Sequence, residues 1–163
     1  NPQKYRNYLM QQSLSVNDAL KKLEHYCAYQ DRCYKEVIGK LKSLGMYQDA
    51  IDHILNELST NNYLNEERFA KSFTRGKHNF KGWGKRRIEQ ELKFREISSY
   101  NIKIAFKEIE NDYLNNFYTL ANKKWDSLKE SSLDVKKRKW MEFLMRKGYE
   151  NNLIYTALKE IAS

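Results

Sequence analysis

Between Phe69 and Ile88 the chain carries Lys71, Arg75, Lys77, Lys81, Lys85, Arg86 and Arg87 and no acidic residue. Phe73, Phe80 and Trp83 are interleaved with these cations, as are Gly76, Gly82 and Gly84. Several cations beside flexible backbone suit contact with phosphates, and each phosphate neutralised releases counterions, so such binding is salt-sensitive. The aromatic rings are of the kind that stack on exposed bases. Phe69 and Phe73, four residues apart, fit a helical core better than a binding face. Lys85, Arg86 and Arg87 are expected to open a helix, where positive charge opposes the macrodipole. That placement is mildly unfavourable for folding and therefore favours a binding role. A second cluster, Lys136, Lys137, Arg138 and Lys139, follows Lys123 and Lys124.

Other chemistry is sparse. Cys27 and Cys33 match no common zinc spacing, and the nearby His25 does not complete one. They are expected to be reduced thiols in or near a helical core, with no metal and no cofactor. His25, His53 and His78 fall in different helical stretches without a nucleophile beside them. Phosphate-loop, HExxH and GxSxG patterns are absent. Gly82 and Gly84 resemble half of a dinucleotide fingerprint, but no strand precedes them. Binding rather than catalysis is the expectation, and the chain is not expected to be an enzyme.

The elements that must position the cations repeat along the chain. The segments 37–58, 88–109 and 140–161 align without gaps. Val37, Ile88 and Trp140 coincide, as do Leu41, Leu92 and Leu144, then Met46, Ile97 and Tyr149. Ile51, Ile102 and Ile154 follow, then Ile54, Ala105 and Ala157, then Leu55, Phe106 and Leu158, and finally Leu58, Ile109 and Ile161. Steps of three and four mark the buried stripe of amphipathic helices. Gly45 and Gly148 suit the left-handed residue after a helix end. Glu96 stands at that place in the second copy, so a different turn is expected there. Ala19, Ala70 and Ala121 mark a further helix upstream of each pair.

The expected fold is all-α, with three tandem three-helix repeats in an elongated, curved, modular molecule. The expected boundaries are an N-terminal extension over 1–16 and repeats over 17–60, 61–110 and 111–163. Of 163 residues 40% are hydrophobic, and the net charge is +9 with six Gly and one Pro. This disfavours all-β folds, and no apolar run reaches the ~18 residues of a membrane span. A soluble, cytoplasmic monomer is expected. The first repeat is near neutral, and the charge concentrates in the other two. The two basic clusters occupy equivalent places in adjacent repeats, which would present one basic track.

The string Tyr63-Leu64-Asn65-Glu66-Glu67-Arg68-Phe69-Ala70 resembles the signature of the RecX family. Gly82, Trp83 and Gly84 followed by Ile88, Glu91 and Leu92 resemble the family's next motif. Residues 26–41 are similar to its first-repeat pattern, although Cys33 stands where many members have Ser. The resemblance covers about Val16 to Ile161. It implies an all-α regulator of RecA recombinase that binds the RecA–DNA filament in its groove. Such a protein limits filament extension, ATP hydrolysis and strand exchange in recombination, DNA repair and the SOS response. Within the signature, Tyr63, Leu64, Phe69 and Ala70 read as structural. Glu66, Glu67 and Arg68 read as surface contacts or a local ion pair. The candidate filament- and nucleic-acid-binding residues are Arg75, Lys77, Lys81, Trp83, Lys85, Arg86, Arg87, Lys136, Lys137, Arg138 and Lys139. The expected partners are the RecA filament and, more weakly and salt-sensitively, single- or double-stranded DNA. The alternatives are a direct DNA-binding helix-turn-helix module and a purely structural helical scaffold.

Overall fold

The structure is a computed structural model that describes residues 2–4 and 14–163. Most of the expected N-terminal extension, including Arg6, lies outside the described residues. Helices α1 (Val16–Tyr29), α2 (Tyr34–Ser43) and α3 (Gln48–Thr60) come first. Helices α4 (Glu66–Lys81), α5 (Lys85–Phe94) and α6 (Ser99–Phe106) follow, and a 3-10 turn over Lys107–Ile109 extends α6. Helices α7 (Tyr113–Ser127), α8 (Leu133–Lys147) and α9 (Asn151–Ile161) complete the chain. No helix among the described residues is long and apolar enough to cross a membrane.

The repeated columns are the core. Val37, Ile88 and Trp140 are fully buried, and so are Leu41, Leu92 and Leu144. Ala19, Ala70 and Ala121 are buried in all three copies, where a small side chain lets helices approach. The column of Leu55, Phe106 and Leu158 is half-buried throughout, at the edge of the apolar stripe. Truncating one fully buried leucine, such as Leu41, to alanine costs about 2–5 kcal/mol.

The turn after the second helix of each repeat is the same in all three copies, contrary to the expectation at Glu96. Gly45, Glu96 and Gly148 have φ of 79, 61 and 95°. The next residue closes the turn each time, with Met46, Ile97 and Tyr149 N–H donating to the carbonyls of Leu41, Leu92 and Leu144. The apolar column on both sides of the turn holds it in place, so Glu96 accepts a left-handed conformation at a cost of about 1 kcal/mol.

The chain divides into two compact units, 1–69 and 70–163, with the division inside α4. The first has a core of Ala19, Leu23, Cys27, Val37, Leu41, Ile51, Ile54, Leu58 and Leu64. Both thiols of this unit are free and buried, and burial pushes the Cys33 thiol up to about 11. The second unit has an aromatic interior. Tyr149 lies 5.0 Å from Phe117 and 5.6 Å from Tyr113, between ring centres. Trp140 meets Trp125 edge-on at 6.0 Å and donates its indole N–H to the Ala121 carbonyl.

Candidate polyanion interface

Helix α4 presents Ala70, Thr74 and His78 inward, at steps of four, and places Arg75, Asn79, Phe80 and Lys81 outward. Phe73 is half-buried, and Phe80 is 88% exposed. Several of the cations already have partners within the protein. Arg75 pairs with Glu108 at 3.3 Å. The Lys77 ammonium lies 4.9 Å over Trp83 and 5.5 Å over Phe73. The Arg87 guanidinium stacks 4.0 Å over Trp83. Trp83 is therefore engaged by two cations of its own chain, and Phe80 is the exposed aromatic of the segment.

The turn leading into α5 is pinned from several sides. Gly82 has φ 68°. His78 Nδ1–H donates to the Trp83 carbonyl at 2.9 Å, which leaves Nε2 to accept from the Asn116 amide at 3.1 Å. The opening amides of α5 find acceptors in the third repeat. Gly84 N–H donates to the Lys147 carbonyl at 2.8 Å, and Arg86 N–H to the Gly148 carbonyl at 2.9 Å. Lys85 N–H donates to the Tyr113 hydroxyl, which itself donates to Glu150 at 2.6 Å. Burial, then the Glu150 contact, hold the Tyr113 hydroxyl far above its ordinary range. The backbones touch so closely that a Cβ on Gly84 would fall 2.5 Å from the Gly148 carbonyl.

These contacts correct the argument from the helix dipole. The unsatisfied amides at the head of α5 meet the unsatisfied carbonyls at the tail of α8, so the two ends complete each other. Cations at the head of α5 also sit beside the negative end of α8, where positive charge is favourable. Arg87 Nη1 donates to the Arg146 carbonyl at 3.2 Å, and Arg86 Nη1 to Asn151 Oδ1 at 3.2 Å. Lys85 lies 4.5 Å over the Tyr113 ring. Lys147 reaches the Lys81 carbonyl at 2.9 Å and so caps the end of α4.

The second cluster lies in the N-terminal half of α8, past its first turn. The Lys136 ammonium is 4.4 Å over Trp125. Lys139 pairs with Glu130 at 2.7 Å, and Arg138 approaches Glu142 at 4.0 Å. The two clusters are not side by side. Arg87 touches Arg146, and Arg138 lies eight residues back along α8, about 12 Å of helix rise. Lys124 and Lys147 occupy the interval, 4.6 and 5.6 Å from the Phe143 ring. The basic surface thus follows α8 itself. Among the described residues, the side chains of Lys81, Lys123, Lys137 and Arg146 have no acidic or aromatic partner. Sequence reasoning missed Arg146 and Lys147, because cations in a last helical turn are ordinary complements to its dipole. No group of three or more potential metal ligands is present among the described residues.

The signature string has a mechanical part in the first unit. Leu64, Phe69 and Ala70 are buried, Tyr63 is half-buried and Glu67 is exposed. The Asn65 side chain caps α4 by accepting from Arg68 N–H. Arg68 Nε pairs with Asp31 at 2.8 Å, and its Nη2 donates to the Asn62 and Tyr63 carbonyls. It therefore ties the α3–α4 loop to the α1–α2 loop.

The comparisons with known proteins agree with this architecture. Residues 65–105 match the family model described as RecX, second three-helix domain, and residues 110–158 match RecX, third three-helix domain. The chain is 35% identical over 124 residues to the regulatory protein RecX of Vibrio campbellii, covering 76% of this chain and 78% of that one. It is 28% identical over 137 residues to the regulatory protein RecX of Bacillus cereus, covering 83% of this chain. It spans about half the length of that relative, 51%. The crystal structure of RecX from Lactobacillus salivarius superposes with a TM-score of 0.74 at 26% identity, over 90% of this chain and 96% of that chain. A second crystal structure of a regulatory protein RecX gives a TM-score of 0.79 at 21% identity, which bears on the fold alone. With a relative this similar and both domain models matched in order, the chain belongs to the RecX family.

Proposed function

We propose that this chain regulates a RecA recombinase by binding its DNA filament in the groove and limiting filament extension, ATP hydrolysis and strand exchange. Family membership supports a regulatory role. One observation supports a nucleoprotein partner. Residues 1–69 hold nine basic and nine acidic side chains, whereas residues 70–163 hold 21 and 12. The whole net charge of +9 therefore resides in the second unit, and a charge so segregated steers that face toward polyanions.

The test is a titration of the protein into RecA assembled on single-stranded DNA. ATP hydrolysis and filament length are expected to fall. If both are unchanged at stoichiometric excess, the proposal fails. The variant with Lys81→Glu, Lys123→Glu and Lys137→Glu replaces cations without internal partners. It is expected to lose the effect, with a salt slope shallower by about one for each phosphate contact removed. Sequence-selective duplex binding without RecA would instead favour a direct DNA-binding module.

A further inference from the structure

We propose that the cleft walled by Arg86, Arg87 and Arg146 takes a carboxylate-bearing segment of a protein partner, while the unpartnered lysines of the same unit take nucleic-acid phosphate. This rests on the reading above that the partner is a nucleoprotein. The cleft, about 510 Å³ in volume, opens where the heads of α5 and α9 meet the tail of α8. The guanidinium groups of Arg86 and Arg87 are held in place but not neutralised, and that of Arg146 is open. Arg86 is held by the Asn151 amide oxygen and Arg87 by the Arg146 carbonyl, both uncharged acceptors. The Arg87 guanidinium carbon also lies 4.0 Å over the Trp83 ring. Arg146 has no acidic partner among the described residues. The wall's own carboxylate, Glu91, is bonded to Arg95 at 2.8 Å.

A carboxylate fits this arrangement better than a nucleic-acid strand does. Guanidinium groups bind a carboxylate, like a phosphate, through two parallel hydrogen bonds, and the apolar part of the wall decides for a protein side chain. Met145, 39% exposed on the cleft wall, offers apolar contact to the stem of an inserted side chain. The Glu91 carboxylate on the same wall disfavours a run of phosphates more than it does a single charged side chain. The unpartnered lysines have the opposite character. Lys81, Lys123 and Lys137 carry compact charges on flexible stems, which can follow phosphates along a moving strand.

The test uses the whole chain and two fluorescent probes, a peptide of alternating Asp and Leu and an oligothymidine. Two variants are compared with the wild type, one with Arg86→Gln and Arg146→Gln, the other with Lys81→Gln, Lys123→Gln and Lys137→Gln. Every substituted side chain in the first variant is exposed, and an unchanged melting temperature verifies the fold. The arginine variant is expected to bind the peptide about tenfold or more weakly and the oligothymidine within about twofold of wild type. The lysine variant is expected to show the reverse pattern. The proposal is overturned if the wild type does not bind the peptide. It is also overturned if the arginine variant loses oligothymidine as strongly as peptide, or loses oligothymidine alone, since the cleft would then hold phosphate. Suppression of RecA ATP hydrolysis is measured in parallel. Intact suppression with no peptide selectivity removes only the cleft assignment. Peptide selectivity without suppression removes only the recombinase reading.

Discussion

Helices α2 and α5 stand in equivalent places of the repeat and begin in opposite ways. At the head of α2, the Glu36 carboxylate turns back to accept from Cys33 N–H at 2.9 Å, within four residues of chain. At the head of α5, Gly84 offers no side chain and no acidic residue follows in the first turn. Its amides are completed by Lys147, Gly148 and Tyr113 instead. A helix that caps itself lets one repeat close alone. A helix capped from elsewhere binds two repeats into one body. The compact units follow this pattern, with α1–α3 in the first and α5–α9 together in the second. The charge follows it too, since the fused pair carries all of the excess.

This contrast can be tested by damaging one unit at a time. Trp83, Trp125 and Trp140 all lie in the second unit, so tryptophan fluorescence reports on that unit while circular dichroism reports on both. The largest effect is expected for Gly84→Ala, whose Cβ would sit 2.5–2.6 Å from the backbone of Gly148 and Tyr149. Neither backbone is free to retreat. A loss of about 3 kcal/mol or more is expected in the tryptophan-detected urea transition. Arg68→Ala should act on the first unit instead. It removes the Asp31 pair and two hydrogen bonds to loop carbonyls at a partly exposed site. Roughly 1–2 kcal/mol should be lost in the part of the circular dichroism transition that tryptophan does not follow.

Smaller gains are expected from relieving two local conflicts in the second unit. The Thr74 hydroxyl is fully buried with no hydrogen-bond partner among the described residues. Thr74→Val should therefore raise the tryptophan-detected melting temperature, by about 1 kcal/mol of stability. Glu96→Gly should add a similar amount or less by accommodating the left-handed turn. The two changes should add, because they touch different contacts.

Alkaline unfolding separates the units most gently. Burial raises the Cys33 thiol from 9.0 to about 11 in the first unit and the Tyr149 hydroxyl from 10.0 to about 12 in the second. For both groups the folded state holds its proton more tightly than the unfolded chain does. Their contribution to stability is therefore complete below the unfolded value and is lost as pH rises toward the folded one. Circular dichroism should begin to change between about pH 9 and 11, and tryptophan fluorescence about one pH unit later. Coincident curves would contradict the ordering.

Much of the fold could be read from the sequence, because each repeat states its core in the same columns. Val37, Ile88 and Trp140 differ in size yet mark the same buried place. The head of α2 is local in the same way, since Cys33 and Glu36 lie three residues apart. Glu96 is misleading because the local preference for glycine is overridden by the apolar column on both sides of the turn. The head of α5 misled more deeply. Its charges looked uncompensated because their partners, at the tail of α8, lie about sixty residues further along. Periodicity reports which face is buried, but not which helix end will face another. Trp83 is a related case, since spacing alone did not show that Lys77 and Arg87 cover its ring.

The meeting of Gly84 with Gly148 also sets a timetable. During synthesis the second repeat leaves the ribosome before the residues that complete the head of α5 exist. At about 5–20 residues per second, that interval lasts roughly 3–12 seconds. The first repeat, which caps itself, can settle as soon as it emerges. The second must wait with open amides and a basic face until α8 has been made. The body that carries the protein's charge thus becomes whole only after the first repeat.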